Sequence, residues 1–502
     1  MNSLSSTRLH DVVIAGAGPV GLFLACELAL ANVDVLVLER AEFPAAPLKV
    51  PPLGTRGLSV ATGEALYRRG LLADLLAAAG TRAGGPRQAQ AGHFAGIAID
   101  ADKVDASRWP YRLANPASAN FAADMASVEA VLTARALALG VEIRRGLAVH
   151  GIDDLGDGVV VRAAGLEFRA QWLVGCDGGR SAVRKLARFE FPGTEPEFTA
   201  YSALVDIANP EELQRGRHAT PAGFYMNEPG RIAIADFDGG AFDRSAAITL
   251  DHLQAVLRRV SGTAVTLSAL HLATSFTDRA RLASAYRMGR VLLAGDAAHI
   301  HSALGGQGLN AGLGDAMDLG WKLAATVRGT APDGLLDTYH SERHPVGEWL
   351  LDWSRAQAAI MRPDPHGRAL ERILRDLIDT PDGATCFAGQ LWGTMLTYDL
   401  GGGHPLVGRS APDFAFDDGT TLAVLMREGT GVLVDFGGTA SLRGVAAAWG
   451  DRLRHVACGA RDELGLNALL VRPDGFVAWA CDEPPAAGDV EAAVTRWFGA
   501  AS

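Results

Sequence analysis

Near its start the chain reads Asp11-Val12-Val13-Ile14-Ala15-Gly16-Ala17-Gly18-Pro19-Val20-Gly21, an apolar run that enters a glycine-rich turn. Residues of these types at this spacing can hold a pyrophosphate. Gly16 permits the turn, Gly18 lets phosphate oxygens approach the backbone, and Gly21 lets the next helix pack close to the strand. The oxygens would meet free N–H groups and the positive end of a helix dipole. Glu39 closes the next apolar run, Val33 to Leu38, and is followed by Arg40. A carboxylate there can accept hydrogen bonds from ribose hydroxyls. Strand, turn, helix and acid in register predict a dinucleotide site.

Two further stretches combine acids with glycines. One is Cys176-Asp177-Gly178-Gly179-Arg180-Ser181-Ala182-Val183-Arg184. The other runs from Gly295-Asp296-Ala297-Ala298-His299 to Gly305-Gly306-Gln307-Gly308-Leu309-Asn310. Each also has a plainer reading. Asp177 could cap the helix after it, and Asp296 could be a turn residue. His299 and His301 could pair on a metal only with a third ligand that the surrounding sequence does not offer, so no metal is expected.

The elements that must position these residues are legible from periodicity. Residues 22–31 read as a helix and 33–38 as a buried strand. Residues 60–79 read as helix with a break at Gly70, 126–139 as helix, and 150–169 as a hairpin turning at Gly156 and Gly158. Residues 183–188 read as a basic helix. Residues 198–237 are strand-rich, with Leu270–Phe276 as a further strand. Residues 311–328 read as a long helix and 335–400 as mostly helical. After Gly401-Gly402-Gly403 the pattern changes to short strands with helices between.

The chain therefore divides into 1–190 with 280–400 for the dinucleotide, a β-sheet unit at 191–279, and an α/β unit at 405–502. The 502 residues support several cores. Hydrophobic content of 48% and charged content of 21% are those of a globular protein. A net charge of −11 argues against nucleic acid as a partner. No run is long and apolar enough to predict a membrane span, and the polar N-terminus does not read as a signal peptide. Five scattered cysteines, none in a CxxC, fit a cytoplasmic protein without a disulfide framework.

Taken together, the three motifs resemble the class A flavoprotein monooxygenases of the para-hydroxybenzoate hydroxylase fold. More narrowly the chain is similar to polyketide and antibiotic hydroxylases with a C-terminal thioredoxin-like domain. The resemblance covers essentially the whole chain. It implies an α/β fold: a Rossmann-like FAD-binding domain, a β-sheet substrate domain and the thioredoxin-like domain. It implies FAD as cofactor and NAD(P)H as reductant, with NAD(P)H given no domain of its own. Gly16, Gly18, Pro19, Val20, Gly21, Glu39, Arg40, Met125, Asp177, Gly178, Gly295, Asp296, Gly306, Gly308, Leu309 and Asn310 are the implied cofactor contacts. Asp296 would accept from a ribityl hydroxyl, and the glycines after it would face the flavin pyrimidine edge. Arg180 and Arg184 are implied at the pyrophosphate or nicotinamide cofactor, and Lys49 or Arg56 near a mobile flavin. No protein side chain is assigned as catalytic, because the oxygen chemistry belongs to the flavin.

Phe94, Tyr225, Phe237 and Ala303 are candidates for a pocket that takes a large polyketide-type small molecule. For the three aromatics ordinary core packing is the alternative. Three departures stand out. Ala303 replaces a proline that family members place near the flavin. Met125 and Ser127 replace a glutamine and an arginine that help hold it. Pro51-Pro52 lengthens the loop after Lys49, and Ala61 falls where relatives often carry an arginine. The same fold serves a redox-neutral [4+2] cyclase, a Diels-Alderase of pyrroindomycin biosynthesis, so a hydroxylase is the expected reading and a cyclase that uses FAD structurally is the alternative. The C-terminal unit holds only Cys458 and Cys481, which leaves it packing or dimerisation rather than thiol redox work.

Overall fold

A computed structural model describes residues 5–80 and 90–501. Strand β1 (Ser5–Ala15) pairs in parallel with β2 (Val35–Leu38) on one side and with Leu166–Gly175 on the other. These three form the middle of an eight-stranded sheet. Val291–Leu293 extends it in parallel beyond Leu166–Gly175, and Glu142–Arg144 beyond β2. Val12, Val13, Ile14 and all of β2 are buried on both faces, as a parallel sheet covered by helices requires. Helix α1 (Pro19–Leu30) follows the glycine turn and is buried from Leu22 to Leu28. Its apolar residues run all round it, because the sheet lies on one side and the long helix Gln307–Val327 on another.

The hairpin expected at 150–169 is a three-stranded meander, Val149–Asp154, Val159–Ala163 and Leu166–Gly175. A second turn at Ala164-Gly165, both at positive φ, lets the last strand run on into the parallel sheet.

Residues 199–277 build a five-stranded antiparallel sheet, ordered 216–220, 223–228, 231–236, 199–207, 267–277. Helix Leu250–Ser261, which the sequence reading passed over, covers one face through Leu253, Val256, Leu257 and Val260. Residues 338–392 form three helices, Thr338–Met361, Pro365–Ile378 and Pro381–Trp392. The C-terminal part holds a four-stranded sheet: Gly431–Asp435 pairs in parallel with Leu453–Ala457, and Ala468–Val471 and Val477–Cys481 continue it antiparallel. Among the described residues no helix is long and apolar enough to cross a membrane.

Candidate active site

The first motif forms the turn its residues predict. Gly16 has φ +107, and a Cβ there would fall 2.4 Å from the Cys176 carbonyl oxygen. A Cβ on Gly21 would fall 2.0 Å from the Gly16 carbonyl oxygen. Around Gly18 a Cβ would meet nothing within 4 Å. The first two glycines are thus demanded by packing, and the third opens onto free space. Gly18 is the N-cap of α1, and no side chain caps it. The first bond within the helix is from Leu22 N to Gly18 O, so the N–H groups of Val20 and Gly21 precede the ladder. Glu39 turns back to this turn: its carboxylate accepts from Ala17 N at 2.7 Å and Ala41 N at 2.8 Å. Arg40 beside it is exposed.

The second and third motifs close on the first. Asp177 accepts from Ala182 N at 2.6 Å and Val183 N at 3.1 Å, so one carboxylate oxygen caps the helix Ala182–Leu186. Its other oxygen, Oδ1, is buried with no partner among the described residues. Gly178 takes φ +78 at the turn. Arg184 donates to Gly179 O at 2.9 Å and Ala297 O at 2.8 Å, and stacks on Phe191. It joins two motifs rather than projecting free. Arg180 is exposed.

Val20 points away from the phosphate turn. Its Cγ2 lies 3.0 Å from where a Cβ on Gly295 would be and 2.6 Å from that of Gly312. The long helix Gln307–Val327 starts at Gly306 (φ +67) without a side-chain cap. Asp296 Oδ1 and His301 Nε2 both crowd Gly308, at 3.7 and 3.0 Å from a Cβ placed there. The surrounding protein pushes the Asp296 carboxyl up from its ordinary range, with His299 pulling against this. Leu309 packs against the main core. Asn310 has its amide fully engaged, accepting from Ser59 N and Thr62 Oγ1 and donating to Gly57 O and Gly306 O. Met125 opens helix Met125–Ala138, its N–H on Gly54 O at 3.1 Å. Lys49 pairs with Glu129 at 2.6 Å, and Arg56 donates to Leu53 O and Thr55 O.

Behind this cradle lies a buried network with no signal in the sequence. Asp315 accepts from Gly295 N (2.9 Å), His299 Nε2 (2.8 Å) and Arg343 Nε (2.7 Å). Burial pushes its carboxyl up, but Arg343 and His299 outweigh this and hold it below the ordinary range. Arg343 also donates to Tyr398 Oη and Ala311 O. His299 is therefore an anchor for the Gly295 turn.

Of the pocket candidates, Phe94 and Phe237 come together and Tyr225 does not. Across the five-stranded sheet Phe224, Ala235, Ala200 and Phe276 stand in one row, and Tyr225, Ile234, Tyr201 and Ser275 in the next. Side chains of adjacent rows point to opposite faces. Tyr225 faces helix Leu250–Ser261 and stacks on His218. Phe224 is the residue on the face with Phe237 and Leu304. Phe94 meets Trp353 at 4.5 Å and Phe387 at 5.1 Å, in a cluster that also takes Phe224, Phe237 and Leu304. Leu304 follows the exposed Ala303 and precedes the Gly305-Gly306 turn. The aromatic wall thus adjoins the N-terminus of the long helix.

Comparison with known proteins decides which dinucleotide such a cradle takes. Residues 10–354 match a family described as an FAD binding domain, and residues 404–501 match the C-terminal domain of aromatic-ring hydroxylases. The chain belongs to the FAD-binding aromatic-ring hydroxylases. A monooxygenase of Claviceps purpurea is 46% identical to this chain, with 98% of each chain covered. The solved anhydrotetracycline hydroxylase from Streptomyces rimosus is 37% identical, covers 99% of this chain and 100% of its own, and superposes with a TM-score of 0.86. The Diels-Alderase in the biosynthetic pathway of pyrroindomycins is 33% identical over 98% and 100% of the two chains, with a TM-score of 0.80.

The residues of this chain fit FAD on their own geometry. An uncapped helix start, an open Gly18 and a carboxylate at the end of β2 suit an ADP moiety. A second uncapped helix start at Gly306, beside Asp296, suits the polar edge of a flavin.

Proposed function

We propose that the enzyme hydroxylates a large aromatic, polyketide-type small molecule, with NAD(P)H as reductant, in the cytoplasm. The observation that carries this reading is the aromatic wall of Phe94, Phe224, Phe237, Leu304 and Trp353 beside the loop 301–306. A broad apolar wall next to a flavin edge is what a fused-ring substrate needs. The solved anhydrotetracycline hydroxylase supports a fused aromatic substrate by analogy.

In this reading residues 1–190 with 280–400 hold the cofactor and 191–279 close the substrate side. FAD, when bound, supplies the redox exchange with NAD(P)H and the activation of oxygen. Gly16, Gly18 and Gly21 shape the pyrophosphate turn, with Glu39 on the ribose. Gly308, in the uncapped first turn of the long helix, would direct its N–H at the flavin and stabilise negative charge there, while the Gly306 N–H is held by the Ala303 carbonyl. The apolar wall excludes water and orients the ring to be oxidised.

The test is direct. The FAD-loaded enzyme is given NAD(P)H and an aromatic polyketide such as anhydrotetracycline, and oxygen uptake and product mass are followed. Substrate-stimulated NAD(P)H oxidation with one added oxygen is expected. A redox-neutral cyclase is the second reading. The likeness to the pyrroindomycin Diels-Alderase and Ala303 beside the glycine turn favour it. Anaerobic turnover of a linear polyene without NAD(P)H would establish it and refute the hydroxylase.

A further inference from the structure

Among the described residues, helix Thr338–Met361 buries several side-chain nitrogens that have no partner, Gln357 Nε2 and Trp353 Nε1 among them. Gln357 is completely buried. Its Oε1 accepts from Ala95 N at 3.0 Å. A backbone N–H needs an oxygen there, so the amide cannot be flipped. Its Nε2 is then directed away from Ala95 and has no partner among the described residues. A Cβ on Gly305 would lie 3.5 Å from that nitrogen, so the amide adjoins the glycine turn where the long helix begins.

Trp353 sits one helical turn earlier, on the same face. Its Nε1 is also buried and has no partner among the described residues. Its ring packs edge-on against Phe94 at 4.5 Å. The neighbouring Ser354 accepts from Ser302 N at 3.2 Å, so this helix face fixes the loop that leads to Gly305. Buried N–H groups are nearly always paired, and an unpaired one in an apolar wall awaits an acceptor.

We propose that Gln357 donates a hydrogen bond to a carbonyl oxygen of the polycyclic substrate and so determines specificity, with Trp353 as a second donor. This rests on the aromatic-substrate reading above. The wall binds any flat ring system, and these two donors would select rings that carry oxygen at the right edge. Sites built around such donors discriminate strongly against analogues that lack the acceptor. The flavin is the other source of a carbonyl, and the experiment separates the two.

Anthraquinone-2-sulfonate and anthracene-2-sulfonate differ only in the ring carbonyls. Their dissociation constants are measured on the FAD-loaded enzyme from the perturbation of flavin absorbance. In Gln357→Met the quinone should bind roughly tenfold more weakly, as loss of one buried hydrogen bond implies, and the anthracene unchanged. Trp353→Phe keeps the Ala95 bond and should weaken the quinone in the same selective way. An equal loss for both probes would assign Gln357 to packing and overturn the proposal. Loss of FAD retention without probe would assign the donor to the flavin and overturn it too. Wild-type enzyme that binds the quinone no better than either variant refutes this inference alone. Wild-type enzyme that binds neither probe refutes the aromatic-substrate reading as well.

Discussion

Val20 fills the space that a side chain on Gly312 would need, its Cγ2 2.6 Å from the position of that Cβ. Helix α1 and the long helix Gln307–Val327 therefore touch where the phosphate turn and the flavin-facing turn must keep their spacing. Gly312→Ala is expected to destabilise the protein by about 1–3 kcal/mol through overpacking. Val20→Ala in the same chain should recover most of that loss. Thermal unfolding of the two single variants and the pair checks the coupling, and strict additivity would disprove it.

Gly18 and Gly21 should separate folding from cofactor binding. Gly18→Ala has room and ordinary backbone angles, so the apoprotein should melt where the wild type does. Its methyl would stand where phosphate oxygens approach, so FAD retention after gel filtration should fall sharply. Gly21→Ala would press on the Gly16 carbonyl and should lower the melting temperature of the apoprotein itself. Equal behaviour of the two variants would contradict the assignment of Gly18 to the pyrophosphate.

Asp315→Asn removes the charge that balances Arg343 and orients His299. Breaking a buried ion pair on one side costs about 3–5 kcal/mol. Because Asp315 also holds Gly295 N, the flavin-side turn should loosen with it. Denaturant unfolding should show the stability loss, and weaker FAD binding should accompany it at temperatures where the fold persists.

Burial pushes His301 down to about 4 from an ordinary value of 6.5, with His299 adding to the effect and the Ser302 carbonyl opposing it. Between those values the unfolded chain binds a proton that the folded chain refuses. Stability therefore falls as pH drops through that window, by up to about 3 kcal/mol. His301→Gln should flatten the dependence of the urea midpoint on pH from 6.5 to 4. An unchanged slope would place the acid sensitivity elsewhere.

The sequence made the cofactor cradle readable because each of its parts is local. A glycine turn, an acid at a strand end and an uncapped helix are decided by residues close in the chain. Tyr225 shows where locality fails. Its strand was visible, but the face it presents depends on register with Ile234 and Tyr201, and a shift of one residue exchanges it with Phe224. Asn310 shows another limit, because its partners Ser59 and Thr62 lie far away in the sequence. Asp315 and Arg343 gave no signal at all: a buried ion pair between two helices has no periodicity of its own.

Arg472, in the C-terminal part, is fully buried and reaches into the flavin part. It donates to Glu342 at 2.6 and 3.0 Å, while Lys322 pairs with Asp318 at 2.8 Å and Glu342 at 3.0 Å. Asp474 completes the group and accepts from Trp321 at 3.1 Å. Two cations among three acids make this an ion-pair cluster, although Asp318, Glu342 and Asp474 converge as metal ligands do. Burial and the neighbouring acids Glu342 and Asp474 push the Asp318 carboxyl up, against the pull of Lys322 and Arg472. A chain cut at Gly401-Gly402-Gly403 would strand Lys322 with one unmatched carboxylate at an exposed apolar scar. A C-terminal segment borrowed from a relative would have to bring both an arginine and an aspartate to these places. The two parts of the enzyme are thus obliged to be inherited together, even though only one of them cradles the cofactor.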